Sequence, residues 1–313
     1  MRVAIVGAGI AGLACADRLR AAGHKVVLFD KARGAGGRMS TRRTFTPRGD
    51  IAFDHGATHF TARSREFRSI VDQWHAQGLV APWPLAGAHA WVGTPSMNAP
   101  LKAQASAHDV WWSSAVTALT RNGEGWWVHI ESVRHGPYDA AVVAIPAEQA
   151  APLLSLHDFD MARAAMSVRS HPSWSAMYLF AKPIDTLPDF IRGVGPITYA
   201  VRNSAKPGRA PGETWVVQAD WTWSETHLTR DPARVCDLLL SALGEAGGTA
   251  MPEPLHSDAH RWLFSQPSGR DPELQWNSDI RLGACGDWLA HGFVEYAWQS
   301  GSALGRAIAG YHH

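Results

Sequence analysis

The 313-residue chain is 46% hydrophobic and 18% charged, enough apolar material for a large core and for two lobes. Its net charge of +1 offers no electrostatic footing for nucleic acid or an anionic membrane surface. Cys15, Cys236 and Cys285 stand alone without a C-x-x-C pair, which excludes a disulfide framework and fits a reducing compartment. No apolar run approaches the ~18 residues that cross a bilayer, and the first residues enter a strand with no leader-like segment, so a cytoplasmic protein is expected. His312-His313 reads as native or as the remnant of a tag.

Val3-Ala4-Ile5-Val6 is a short apolar run suited to a buried strand, followed at once by Gly7-Ala8-Gly9-Ile10-Ala11-Gly12, a G-x-G-x-x-G turn. Leu13 to Ala22 has helical periodicity and stops at Gly23; Lys25 to Phe29 is a second apolar run ending on Asp30. Gly7 permits the tight turn, Gly9 lets a pyrophosphate approach the backbone, and Gly12 lets the helix pack close on the sheet. The helix N-terminus offers unpaired N–H groups to phosphates. Asp30, eighteen positions after Gly12, is placed to accept bonds from a ribose hydroxyl. The strand, turn, helix and acid together predict a dinucleotide site. Lys31 to Met39 then forms a second glycine-rich loop, Gly36-Gly37-Arg38, whose alternative reading is an ordinary surface loop with an exposed Arg.

Thr41 to Asp50 reads as a hairpin or surface loop. Ile51 to Thr61 is an apolar strand running into Gly56, where backbone can approach a ligand closely. His55 and His59 do not make a metal site, because no carboxylate or Cys is placed to complete one. Ser64 caps a helix carrying Phe67, Ile70, Val71 and Trp74 on one face, ended by Gly78. Pro82 to Pro100 reads as irregular chain in which Trp91-Val92-Gly93 and Met97 pack or line a pocket. Val110-Trp111-Trp112 is expected to open a β-rich block, with strands near 115–119 and 126–130 joined by a turn at Asn122-Gly123. Tyr138 to Ile145 is a buried strand, and Pro146 starts the next helix.

From Pro152 to Pro267 there is no nucleotide motif. Strands are expected at Trp174–Phe180, Thr214–Trp221 and Ala259–Phe264, and Asp231-Pro232 caps a helix bearing Val235, Leu238, Leu239 and Leu243. The tryptophans of this lobe serve a core, a planar-ligand pocket, or both. In the last block, Ile280 to Cys285 is a strand leading to Gly286-Asp287-Trp288, and Phe293 to Gly301 opens a helix through Ile308. A second G-x-G-x-x-G is absent, so a further nicotinamide-binding Rossmann unit is not supported.

These stretches, with Asp54-x-Gly56-Ala57, Phe60-Thr61-Ala62-Arg63, Trp91-Val92-Gly93, His260-Arg261-Trp262, Cys285-Gly286-Asp287-Trp288 and Glu295-x-Ala297-Trp298-x-Ser300-Gly301, resemble the bacterial renalase-like flavoproteins, within the amine-oxidase-like FAD superfamily. Where such proteins commonly read Gly-Ala-Gln-Tyr-Phe, this chain has Gly56-Ala57-Thr58-His59-Phe60, a change at the polar edge of the site. The resemblance implies an α/β fold: a Rossmann-type FAD-binding domain of the glutathione-reductase/p-hydroxybenzoate-hydroxylase class (1–62, 101–151 and 268–313) with a β-rich substrate lobe (63–100 and 152–267). It implies non-covalent FAD held by Gly7, Ala8, Gly9, Ile10, Ala11, Gly12, Asp30, Lys31, Gly37, Arg38 and Met39. Gly56, Ala57, Thr58, Val116, Gly286, Asp287, Val294, Glu295 and Ala297 complete that set, with Val116 beside the adenine. His260, Thr58, His59 and Trp288 are the pocket residues facing the flavin.

The activity implied is oxidation of misreduced dihydronicotinamide dinucleotides, with hydride passing to flavin N5 and O2 reoxidising the flavin to give hydrogen peroxide. Such a donor needs no side-chain base. One rival is a flavin amine oxidase, which often uses a buried Lys; after residue 150 only Lys182 and Lys206 occur, and Lys206, in a Pro-Gly loop, is expected to be exposed. The other is a flavin-binding sensor or partner protein without turnover. The partners expected are a small-molecule substrate and O2, with the chain a monomer or weak homodimer.

Overall fold

In the computed structural model, described over residues 1–268, 274–290 and 292–310, the chain divides into two compact units. His312-His313 lies outside the described residues. One unit comprises Met1–Gly37, Leu101–Ser170 and Pro267–His313; the other comprises Arg38–Pro100 and His171–Gln266. Two segments fall on the other side of the division from the sequence grouping. Residues 38–62 join the second unit because the hairpin Arg42–Thr46/Gly49–Phe53 buries Phe53 against Met177, Leu179 and Val216. Residues 152–170 join the first because the helices Ala147–Leu154 and Phe159–Ser167 put Leu153, Leu154 and Met161 into one core with Trp126 and Tyr138.

The central sheet of the first unit runs Gln275–Asn277, Leu282–Ala284, Ala140–Val143, Arg2–Val6, Lys25–Phe29, Asp109–Trp111. All neighbours are parallel except the edge strand Gln275–Asn277. Val3 to Val6 are buried, as a strand covered on both faces must be, which is why they read as an unbroken apolar run. The chain leaves Arg2–Val6 for a partner on one side and later supplies Ala140–Val143 on the other. The C-terminal end of Arg2–Val6 is therefore the switch point of a doubly wound sheet, where such folds bind ligands. Asp109–Trp111 corrects the expectation of a new β block at Val110: it extends the central sheet, parallel to Lys25–Phe29. The antiparallel meander that follows is Val116–Asn122, Gly125–Ile130 and Val133–Tyr138.

The first helix, Ile10–Ala21, and the last, Val294–Ala309, pack through glycine. A Cβ on Gly301 would overlap the Ala11 carbonyl oxygen, and one on Gly305 would meet the Cys15 carbonyl. The matched positions rise together, so the helices run parallel with both N-termini at one end. Gly301 lies seven residues into its helix and Ala11 one residue into its own, so the last helix begins six residues, roughly 9 Å, before the first along their shared direction.

The second unit is built on a five-stranded sheet, ordered Phe190–Val194, Ile197–Arg202, Glu213–Ala219, Ser170–Phe180, His256–Pro267. Helix Pro232–Gly247, capped by Asp231 and ended by left-handed Gly248, packs Val235, Leu239 and Leu243 against Trp174, Tyr178 and Trp215. A small sheet joins Phe60–Thr61, Ala90–Gly93 and Val80–Pro82. The stretch read as irregular therefore holds the strand Ala90–Gly93 and the start of the helix Ala99–Ala105. Trp91 finds its partners in Phe60 and Pro82, and such non-local pairing leaves no periodicity to read.

Candidate cofactor and substrate sites

At the switch point, Gly7 has φ +104°, a left-handed turn open to glycine. Gly12 has no room for a side chain, since a Cβ there would overlap the Gly7 carbonyl oxygen. Gly9 is different. It caps the first helix without any side-chain bond, and among the described residues nothing lies within 4 Å of where its Cβ would be. An uncapped helix N-terminus beneath open space is a cradle for a phosphate. Gly37 comes close to this turn, its Cβ position 3.7 Å from the Gly9 Cα, so the second glycine loop flanks the first. The Asp30 carboxylate accepts the Ala8 N–H at 2.7 Å on one oxygen and the Ala32 N–H at 2.8 Å on the other. Two N–H bonds orient it while leaving lone pairs for ribose hydroxyls.

Val294 and Ala297 lie in the first turns of the last helix with Glu295, which is buried. Gly286, at φ +154°, donates its N–H to Ser300 Oγ at 2.9 Å, tying the Gly286-Asp287 turn to that helix. The two parallel helix ends, staggered along one direction, suit an elongated dinucleotide with negative charge at two points. These features fit FAD. Val116 is half-buried at the start of its strand. Lys31 is exposed and donates to Gln149 Oε1 at 3.2 Å. Trp288 is 2% exposed, donates from Nε1 to the Ile145 carbonyl at 3.1 Å, and packs in the first unit's core.

In the second unit, the segment carrying Gly56 and Ala57 is clamped by backbone contacts. Ala57 donates its N–H to the Arg38 carbonyl at 2.8 Å, and a Cβ on Gly56 would overlap that same oxygen. Gln218 donates to the Gly56 carbonyl, and Trp262 Nε1 donates to the His55 carbonyl at 2.8 Å. Arg38 in turn donates to the Ser265 carbonyl at 3.2 Å, and Met39 is buried. Sequence reading missed Gln218 as a clamp, because its partner lies 162 residues earlier.

Beneath this segment is a buried ion cluster. Asp54 accepts Lys206 Nζ at 3.1 Å and Arg209 Nε at 3.1 Å on one oxygen; the other takes the Thr41 hydroxyl at 2.7 Å and the Met97 N–H at 3.0 Å. Side-chain exposure is 1% for Asp54, 0% for Lys206 and 3% for Arg209. Lys206 therefore corrects the expectation of an exposed lysine: a buried carboxylate calls for a cation, and the Pro207-Gly208 turn delivers it. Burial alone would raise the Asp54 carboxyl, but Lys206 and Arg209 more than offset this and hold it well below the usual carboxylate range. Burial, helped by Arg209 and opposed by Asp54, pushes Lys206 down to about 8.

The histidines are separated. His55 packs against His260 and Trp262, with ring centres 5.0 and 5.1 Å away. His59 sits among Trp83, Phe190 and Tyr199, and its Nδ1 lies 3.0 Å from the buried Thr58 hydroxyl. Burial, with the charges of His260 and Arg42, pushes His55 down to about 3; burial, with Lys206 and Arg192, pushes His59 down to about 4. Burial, then Arg42, lowers His260 as well. Among the described residues, no three His, Cys, Asp or Glu form a metal cluster.

Neutral burial of His55 and His59 has a sign in stability. Between their folded values and ~6.5 the unfolded chain binds more protons than the native one, so stability is complete above ~6.5 and falls as pH drops. Each group contributes a slope of up to ~1.4 kcal/mol per pH unit. Melting temperature should therefore fall steadily from pH 6.5 to pH 5, before ordinary carboxylates titrate. His55→Gln should flatten the slope. A wild-type melting temperature constant across that window would contradict the assignment.

Residues 5–74 match the family described as NAD(P)-binding Rossmann-like domain, and residues 85–308 match the family described as Flavin containing amine oxidoreductase. The second match covers well over half of the chain. The chain belongs to the flavin-containing amine oxidoreductase family. That family is one of flavin-dependent oxidoreductases.

A 4,4'-diapophytoene desaturase of Staphylococcus haemolyticus is 47% identical over 58 residues, 18% of this chain and 11% of the desaturase, so the likeness spans about a tenth of that relative's length. Solved structures share the fold of this flavin-containing family member. A protoporphyrinogen oxidase-like protein from Exiguobacterium sp. 255-15 aligns at TM-score 0.77 and 11% identity, covering 98% of both chains. Cyclohexylamine oxidase from Brevibacterium oxydans IH-35A aligns at 0.65 and 12% identity, again over 98% of both. Among the described residues, no helix is long and apolar enough to cross a membrane.

Proposed function

We propose that this family member oxidises misreduced dihydronicotinamide dinucleotides, isomers of NAD(P)H reduced at the wrong ring carbon. O2 is the final acceptor and hydrogen peroxide the product. The supporting observation is the lack of a competent base around the 54–60 segment among the described residues. Asp54 is saturated by Lys206, Arg209, Thr41 and the Met97 N–H. His55 and His59, at about 3 and about 4, are weak proton acceptors, and His260 is shifted the same way. A dihydropyridine that gives up hydride becomes an aromatic pyridinium and surrenders no proton. An ammonium substrate must first be deprotonated, so it needs the base that is lacking.

When bound, FAD supplies a two-electron acceptor and a route to O2. The chain's own part is binding and orientation. Gly7 to Gly12 and Asp30 would hold the dinucleotide, with Gly286-Asp287 and Glu295 at the end of the last helix. That helix N-terminus would favour negative charge placed before it. The clamped Gly56-Ala57 backbone and the rings around His59 would orient the substrate.

One observation favours amine oxidation as a second reading. Lys206 is buried, as lysines serving amine oxidases often are, although here it is committed to Asp54. Peroxide release by the purified holoprotein, with misreduced isomers, ordinary NADH and primary amines as a panel, tests the choice. The isomers should turn over at least 100-fold faster than any amine. Amines turning over while the isomers stay inert would establish the second reading, and peroxide from none of them would leave a flavin-binding module without turnover.

A further inference from the structure

Around His59 the second unit gathers three aromatic rings and two cations. Trp83, Phe190 and Tyr199 have ring centres 6.1, 5.8 and 5.3 Å from that of His59. Phe190 and Tyr199 lie within 24° of parallel on neighbouring strands, where Arg192 is the direct cross-strand partner of Tyr199. The Arg192 guanidinium is 5.8 Å from the Tyr199 ring centre, and the Lys206 ammonium is 5.8 Å from that of Trp83. His59, Phe190 and Tyr199 are only half-buried, so the cluster keeps an accessible side. Trp83 is 3% exposed, yet its buried indole N–H has no hydrogen-bond partner among the described residues. Buried donors are nearly always satisfied, so this one has bonding capacity left for a water or for a ligand acceptor once the ring shifts.

We propose that this cluster is a substrate-ring subsite that selects by charge, taking a flat neutral or anionic ring that carries an acceptor such as a carboxamide and turning away ammonium groups. The proposal rests on the reading of the second unit as the substrate-binding part. Aromatic faces by themselves attract cations. Here the Tyr199 and Trp83 rings already have cations beside them, and the ion cluster behind sets one carboxylate against two positive side chains. His59, held neutral, adds no counter-charge. An incoming ammonium would meet like charge on two sides, whereas a carboxamide oxygen would meet the Trp83 N–H.

Equilibrium dialysis of the holoprotein against benzamide, benzoate and benzylamine reads this without turnover, since the three rings match in size and differ in charge. Benzamide and benzoate should bind at least tenfold tighter than benzylamine. Arg192→Gln, at an exposed position, and Lys206→Met should each narrow that ratio several-fold. Trp83→Phe should weaken benzamide several-fold and leave benzylamine unchanged. Benzylamine binding as tightly as benzamide, or a ratio unmoved by Arg192→Gln, overturns the proposal, and these arms decide even if Lys206→Met fails to fold. Charge selection without turnover of dihydronicotinamides would sink the proposed reaction and keep the subsite; turnover without selection would do the reverse.

Discussion

Asp54→Ala should lower the melting temperature by roughly 6–20 °C. The substitution leaves Lys206 and Arg209 buried with no carboxylate between them. Removing one partner of a buried ion cluster costs about 3–5 kcal/mol, because the remaining charge stays desolvated. That is a large part of the 5–15 kcal/mol that holds a typical domain together, and for a folding unit of about 150–250 residues, the class of the second unit, each kcal/mol moves the midpoint by about 2–4 °C. The Thr41 hydroxyl and the Met97 N–H lose their acceptor as well. Asp54→Ala/Lys206→Met should recover part of the loss, since only Arg209 is then uncompensated. A single variant melting within 2 °C of wild type would show that water or a neutral Lys206 relieves the cluster.

The second large effect separates cofactor binding from folding. Gly9→Val should weaken FAD at least 100-fold, roughly 2.7 kcal/mol, while the apoprotein melts within a few degrees of wild type. The space over Gly9 is open, so a side chain fits the protein; it fills the place a pyrophosphate needs. Gly12→Val is the control: its side chain overlaps the Gly7 carbonyl and should unfold the first unit. Asp30→Ala should fall between, losing about 1.5–3 kcal/mol of charge-assisted bonding to ribose while the fold persists. Titration of apoprotein with FAD checks all three. Unchanged affinity in Gly9→Val would move the pyrophosphate elsewhere.

The legible parts of this chain are those whose partners are near in sequence. The Gly7 to Gly12 turn, the hairpin turn (expected at Asn122-Gly123 and found one residue on, at Gly123-Glu124), and the Ser64 and Asp231 caps each declare themselves within a few residues. What was hidden depends on distant pairing. Lys206 looked exposed between neighbours that favour a loop, but its carboxylate stands 152 residues earlier. The signal was at the other end: Asp54 directly follows the apolar run Ile51-Ala52-Phe53, and a charge so placed needs a buried cation. The Trp288 indole N–H finds the Ile145 carbonyl, 143 residues earlier, a pairing its own neighbours do not announce. The rings around His59 come from residues 83, 190 and 199, and no local spacing could assemble them.

Anaerobic stopped-flow mixing of the holoprotein with a misreduced dihydronicotinamide dinucleotide, following the loss of visible flavin absorbance, tests the central claim most directly. Rapid, saturable bleaching is expected. Its rate should change little between pH 6 and pH 8, because no side-chain base takes part, and a primary amine at the same concentration should leave the flavin oxidised. Saturable bleaching by the amine, with the dihydronicotinamide inert, would contradict the account.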